Sequence, residues 1–206
     1  MKKIVFVLSM FLVLLTAVSA LADTIPYQIN DPNAALQNGG FLPPYAEVSI
    51  TVNGPSNQAT VTVNRDGTYL IGDGGSFDLS LKSPATAGSF SWTGGNATTA
   101  FSTGNPGNIS EFGFFNLTID DFDGFTRAVE SLTFTLTKVS GTWASASDVL
   151  IANSDGYLIA AHIFPPGGID TGFAGNGTPI PEPTTMLLLG SGLLGLAGFV
   201  RRRFKK

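Results

Sequence analysis

Apolar and polar side chains alternate with a period of two through the middle of the chain, and this alternation excludes most folds. Val48, Ile50 and Val52 alternate with Ser49, Thr51 and Asn53, and beyond Gly54 and Pro55 the pattern resumes as Ala59, Val61 and Val63 against Thr60, Thr62 and Asn64. An extended chain sends successive side chains to opposite faces, so each run predicts a strand buried on one side, with a turn between them. Leu132, Phe134 and Leu136, interleaved with Thr133, Thr135 and Thr137, give the clearest strand. Phe77, Leu79 and Leu81 form another strand face, as do Phe115, Leu117 and Ile119. Residues 149–152 and 157–164 read as a closing hairpin around Asn153, Ser154, Asp155 and Gly156. No stretch has the period of an amphipathic helix. Eight or nine strands separated by Gly, Asp and Asn turns predict an all-β domain, a single antiparallel β-sandwich or jelly roll, over residues 23–178. Within it, residues 23–44 hold Pro26, Pro32, Pro43 and Pro44 and read as an irregular lead-in, and the Gly-rich residues 165–178 read as a flexible tether.

Neither end shares this pattern. Met1, Lys2 and Lys3 precede an apolar run over 4–15, and Ala20, Leu21 and Ala22 supply an A-x-A cleavage site, so residues 1–22 read as a secretory signal peptide. Residues 186–200 carry no charge, and Ser191 is their one polar side chain. As a helix this run would pair all its backbone groups internally, and it spans roughly 22 Å against a hydrocarbon core of about 30 Å, a marginal fit that suits a temporary anchor. Arg201, Arg202, Arg203, Lys205 and Lys206 follow it and would stay on the cytoplasmic side, which places the body on the far side of the membrane. Pro181 and Pro183 hold the segment just before the span extended, in a form that a processing enzyme can grip.

The order Pro181-Glu182-Pro183, apolar run, basic stop resembles the PEP-CTERM sorting signal of Gram-negative bacteria over residues 179–206. The resemblance implies export by the secretion machinery and recognition by an exosortase, a membrane-embedded cysteine peptidase that acts near the Pro-Glu-Pro element. It also implies a final location at the cell surface or in an extracellular matrix, associated with exopolysaccharide, with the membrane contacted through the tail before processing.

With both ends set aside the charge changes character. The whole chain is −4, but the body keeps only Arg65, Lys82, Arg127 and Lys138 against fourteen acids, a net charge of −10. That repels phosphate backbones and excludes nucleic acid as a partner. The chain has no cysteine, which removes disulfides, Cys-zinc sites and thiol catalysis.

His162 is the one histidine, expected as a solvent-facing strand residue, and no G-x-S-x-G elbow occurs in the body, so no enzyme is expected. Asp120, Asp121 and Asp123 are the candidate ligands of a weakly held calcium ion, the one cofactor considered; a solvated turn is the favoured reading of the same cluster. Trp92 and Trp143 are candidates for stacking on sugar rings, against the alternative that they fill the core. The leading expectation is a non-enzymatic exported surface or matrix protein. A carbohydrate- or calcium-binding module is the second reading, and an exopolysaccharide-acting enzyme using Glu111 with Asp120 or Asp121 is the third.

Overall fold

The computed structural model describes residues 22–72, 75–95, 97, 101–120, 127–165 and 170–176. The expected signal peptide up to Leu21, the sorting tail with its span at 186–200, and Asp121 and Asp123 lie outside the described residues.

Two antiparallel sheets bury one shared core. The first is built from β1 (Ala22–Ile29), β3 (Ala46–Asn53), β4 (Gln58–Arg65), β12 (Ser131–Lys138) and β7 (Ala85–Thr93), in the order β1-β3-β4-β12-β7. The two alternating runs around Gly54 and Pro55 are β3 and β4, paired from Ala46↔Arg65 to Thr51↔Thr60. Their apolar residues, with Leu132, Phe134 and Leu136 of β12, are wholly or almost wholly buried. Each such side chain contributes roughly 1.5–3 kcal/mol through removal from water.

The second sheet runs β2 (Asp31–Pro32), β14 (Gly172–Asn176), β13 (Ile159–Phe164), β6 (Phe77–Leu79), β11 (Leu117–Asp120), β8 (Ser102–Gly104), with β5 (Leu70–Ile71) also pairing to β13. It supplies Phe77, Leu79, Ile119, Ile159, Ala161 and Ile163 to the same core. The rings of Phe77 and Phe134 meet edge-on across the two sheets at 6.1 Å. A small ladder of β9 (Gly107–Ile109) and β10 (Gly113–Phe115) carries a second apolar cluster, in which Phe112 and Phe115 are buried with Ala160 of β13.

Three expectations are corrected. The irregular lead-in over 23–44 contains an eight-residue edge strand, β1, in register with β3 from Ala22↔Asn53 to Ile29↔Ala46. Ile25, Tyr27 and Ile29 supply its inward side, and Pro26 is tolerated because an edge strand needs hydrogen bonds on one side alone. A short helix, α1 (Ala34–Asn38), follows, with the Asn33 side chain accepting from Leu36 N.

The tether over 165–178 contains β14, an interior strand between β13 and β2. Its glycines reflect close packing: a Cβ at Gly172 would lie 2.5 Å from Asn33 Oδ1, and one at Gly175 would lie 2.6 Å from the Phe112 ring. The hairpin of 149–152 with 157–164 does not form. Ala146–Asp148 is a 3-10 turn, Leu150 bridges Leu81, and β13 pairs instead with β6 and β14.

Candidate functional site

Asp78 is the carboxyl raised furthest from its ordinary value among the described residues. It stands on β6 between the inward-facing Phe77 and Leu79, so its side chain belongs to the other side of the sheet, yet it has no exposure at all. Thr118, directly opposite on β11, donates its hydroxyl to Asp78 Oδ1 at 2.7 Å, and Ser76 donates to Oδ2 at 2.5 Å. On its other flank Asp78 faces Ala160, which is buried with Phe112 and Phe115. Burial pushes the carboxyl up to about 6, the two hydroxyl donors pull it partly back, and the nearby Asp120 charge raises it further. A fully covered carboxyl of this kind can hold a proton near neutral pH.

His162 is packed, not solvent-facing as the sequence suggested. It is 7% exposed, its N–H donates to Ser76 O at 2.9 Å, and its ring lies 4.7 Å from that of Phe173. Gly75 makes this packing possible, because a Cβ there would sit 2.5 Å from His162 Cβ.

A second polar group forms around Tyr157, whose hydroxyl donates to Asp31 Oδ2 at 2.5 Å. That bond holds the phenol in its protonated form, with burial adding to it and Asp155 and Glu111 nearby, so its pKa rises to about 12. The Glu111 carboxylate accepts from Ala34 N at 3.2 and 3.3 Å and so caps the first turn of α1. These carboxylates serve the join between the small ladder and the second sheet.

Asp120 is exposed at the end of β11, opposite Ser102. Among the described residues no group of three or more His, Asp or Glu is placed to hold a metal ion. Trp143 is corrected as a sugar-stacking candidate: it is fully buried, exchanges backbone hydrogen bonds with Ser56 at 2.7 and 3.1 Å, and has Lys138 Nζ 5.6 Å from its ring centroid. Trp92 is half-buried, donates Nε1–H to Ala97 O at 3.2 Å and meets Phe101 edge-on at 5.3 Å.

The feature that sequence reasoning missed is the outer face of the first sheet. Pairing aligns Thr24, Thr51, Thr60 and Thr135 in one row across β1, β3, β4 and β12. Pro26, Ser49, Thr62, Thr133 and Ser91 form the next row, and Gln28, Glu47, Asn64, Ser131 and Thr93 the third. Hydroxyls link neighbouring strands, at 2.8 Å between Thr24 and Thr51, 3.3 Å from Thr133 to Thr62 and 2.6 Å between Thr93 and Ser131. Strand geometry sets these side chains about 4.8 Å apart along a row and about 6.8 Å between rows. Glu47 is the one charge in the three rows, on a body of net charge −10. The polar halves of the alternating runs were the available signal, but their alignment depends on the strand pairing.

No curated protein and no solved structure matches the chain. A family model described as the PEP-CTERM protein-sorting motif matches residues 179–203, over Pro181, Glu182 and Pro183, the apolar run and the three arginines. The match begins three positions past Asn176, where β14 ends. The motif implies an exosortase-sorted, exported protein that is membrane-anchored during sorting in a Gram-negative bacterium. The chain therefore carries a PEP-CTERM protein-sorting motif at residues 179–203, after a body that is mostly β-strand among the described residues.

Proposed function

We propose that this chain is a non-enzymatic protein displayed at the cell surface or in an exopolysaccharide matrix: a β-sandwich of jelly-roll type, exported by a signal peptide and released or transferred through its C-terminal tail. The observation that carries this reading is the sorting motif at 179–203. Lys and Arg are few in the body, and Asp78, its strongest perturbed carboxyl among the described residues, is sealed from solvent, which favours a passive displayed domain over a catalyst. The test is the intact mass of protein recovered from outside the inner membrane. It is expected to lack the residues before about Asp23 and those beyond Pro183. Recovery of the full-length chain there would refute the reading.

The hydroxyl rows favour a second property of the same domain, contact with an uncharged polysaccharide. A neutral sugar chain presents alternating donors and acceptors, as this face does, and meets no charge repulsion there despite the acidity of the body. The expected result is co-sedimentation of the exported protein with an insoluble neutral glucan. Replacing Thr60 and Thr133 by Val should reduce the bound fraction several-fold while leaving the melting temperature within a few degrees. Equal binding by that variant would remove the face from consideration.

A further inference from the structure

We infer that an open groove beside residues 81–85 is a docking site for this chain's own Pro-Glu-Pro segment, residues 179–183, which the body holds against itself until a processing enzyme takes it. The consequence for processing rests on the sorting reading above. The docking itself rests on the groove and on where the chain leaves the body.

Strand pairing brings the exit of the body close to this groove. β14 is antiparallel to β13 and β13 to β6, so β14 and β6 run the same way. Asn176 is the partner of Ile159, and Ile159 that of Leu79, so β14 and β6 end level with each other, two strand spacings or roughly 10 Å apart. The C-terminal end of β14 therefore points the way the chain goes from Leu79 to Leu81. Leu81 lies two residues past Leu79, which puts it at most about 17 Å from Asn176. Five residues of extended chain reach about that far, and Pro181 is five residues past Asn176.

The groove has a volume of about 280 Å³ and is lined by Leu81, Lys82, Ser83, Pro84, Ala85 and Asn116. The Asn116 amide fixes its floor, accepting from Leu81 N at 2.7 Å and donating to Leu81 O at 2.8 Å. Ser80 N donates to Leu158 O at 2.9 Å, and Ser80 O accepts from Ile151 N at 3.0 Å, so Ile151 lies on the side of this segment that faces β13 and β14. Val139 borders the groove elsewhere, its N–H donating to Pro84 O at 3.0 Å. Phe114 precedes Asn116 by two residues. Ile151, Val139 and Phe114 are three of the four large exposed hydrophobics among the described residues, at 50%, 69% and 53%. Exposed apolar side chains gathered around one concavity mark a surface that something covers.

The chain's own segment suits it. Pro179, Ile180, Pro181 and Pro183 are apolar, and the three prolines fix their backbone angles in advance, so laying the strip into a groove costs little ordering. Glu182 is the one acid in residues 177–206, and Lys82 in the groove is one of only four cations in the body. Lys82 Nζ spends one of its three donors on Asp148, at 3.0 Å, and its half-exposed side chain has two more to offer Glu182. The short tether supplies the strip at an effective concentration of about millimolar, enough to fill a shallow site that a free peptide would leave empty. A second copy has no such advantage, and two bodies of charge −10 repel each other.

The chain has no native cysteine, so a pair of introduced cysteines reports the contact directly. The full chain in detergent micelles carries Thr184→Cys, just past the strip, with either Ser83→Cys in the groove or Asp66→Cys as the control. Asp66 is exposed and lies a similarly short way from Asn176, whose Nδ2 donates to Gln28 O, while Tyr45 N donates to Ile29 O and Asp66 N to Tyr45 O. The tether thus serves both positions, and a difference between them reports docking. Under mild oxidation the disulfide within one chain is expected to form several-fold faster at 83 than at 66. Glu182→Lys, a change in the tail alone, should remove most of that advantage. Ala85→Cys replaces Ser83→Cys should that variant misfold. Equal rates at the two positions, or a disulfide that joins two copies instead of closing within one, would overturn the inference. Either result would leave the sorting reading standing, because that reading is tested separately by the intact mass of the exported protein.

Discussion

Phe134→Ala is expected to lower the unfolding free energy of the exported protein by about 3–5 kcal/mol, the cost of emptying an aromatic site in a close-packed core. Phe134 lies on β12 with no exposure, and its ring meets Phe77 of the second sheet at 6.1 Å and Phe90 of β7 at 5.7 Å. Removing it breaks the contact between the two sheets at its centre, where neighbouring strands on both sides are held in register and cannot collapse inward. Urea unfolding followed by tryptophan fluorescence would measure the effect. Val139→Ala, at a position 69% exposed, should change stability by no more than about 0.5 kcal/mol and serves as the control. A loss below about 1 kcal/mol at Phe134 would mean that the sheets do not share one core.

Asp78→Asn is expected to remove a pH dependence of stability that the native protein shows on the acid side of neutrality. The folded-state carboxyl sits near 6, against an ordinary value of 3.8, because burial outweighs the hydroxyl donors Ser76 and Thr118. A raised carboxyl binds its proton more tightly when folded, so its contribution to stability is fully present below about 3.8 and is lost as pH rises through about 6. The shift of about two units corresponds to about 3 kcal/mol between those limits. Asn keeps an acceptor for the Thr118 hydroxyl and carries no charge. Relative to the native protein, the variant should therefore be more stable at pH 8 and little different at pH 4. Taking the difference between the two proteins cancels the titration of groups they share, including Asp120. Parallel stability curves from pH 4 to pH 8 would show that Asp78 is not buried as a carboxyl in solution.

Residues 46–53, 58–65 and 131–138 were legible in advance because each run carries its own period, so its buried face follows from local sequence alone. Among the described residues the fourteen strands exceed the eight or nine expected because β2, β5 and several others are only two or three residues long and too short to show a period. Ile25, Tyr27 and Ile29 did alternate, but Pro26 within the run and Pro32 just after it obscured the strand. In β14 the opposite held: Gly172, Ala174 and Gly175 looked like linker sequence because small residues can mean flexibility or tight packing, and only the Phe112 ring and Asn33 side chain pressed against them tell which.

The sorting motif was fully readable from the chain, since its information lies in the linear order of Pro181, Glu182, Pro183, an uncharged run and a basic cluster. The all-β character was readable for the same reason, as a property of neighbours along the chain. What only the tertiary structure decided is how the polar residues are used. Thr118 and Asp78 both read as outward-facing, and they become a buried proton-holding pair because pairing sets them opposite each other beside Ala160 and its aromatic cover. Thr24, Thr51, Thr60 and Thr135 come from four separate strands and form one row because antiparallel pairing fixes their register. Periodicity tells which side of a strand a residue takes. Which residues lie beside it, and whether that side is later covered, depends on contacts between segments far apart in the chain, and those are settled when the two sheets close over their shared core.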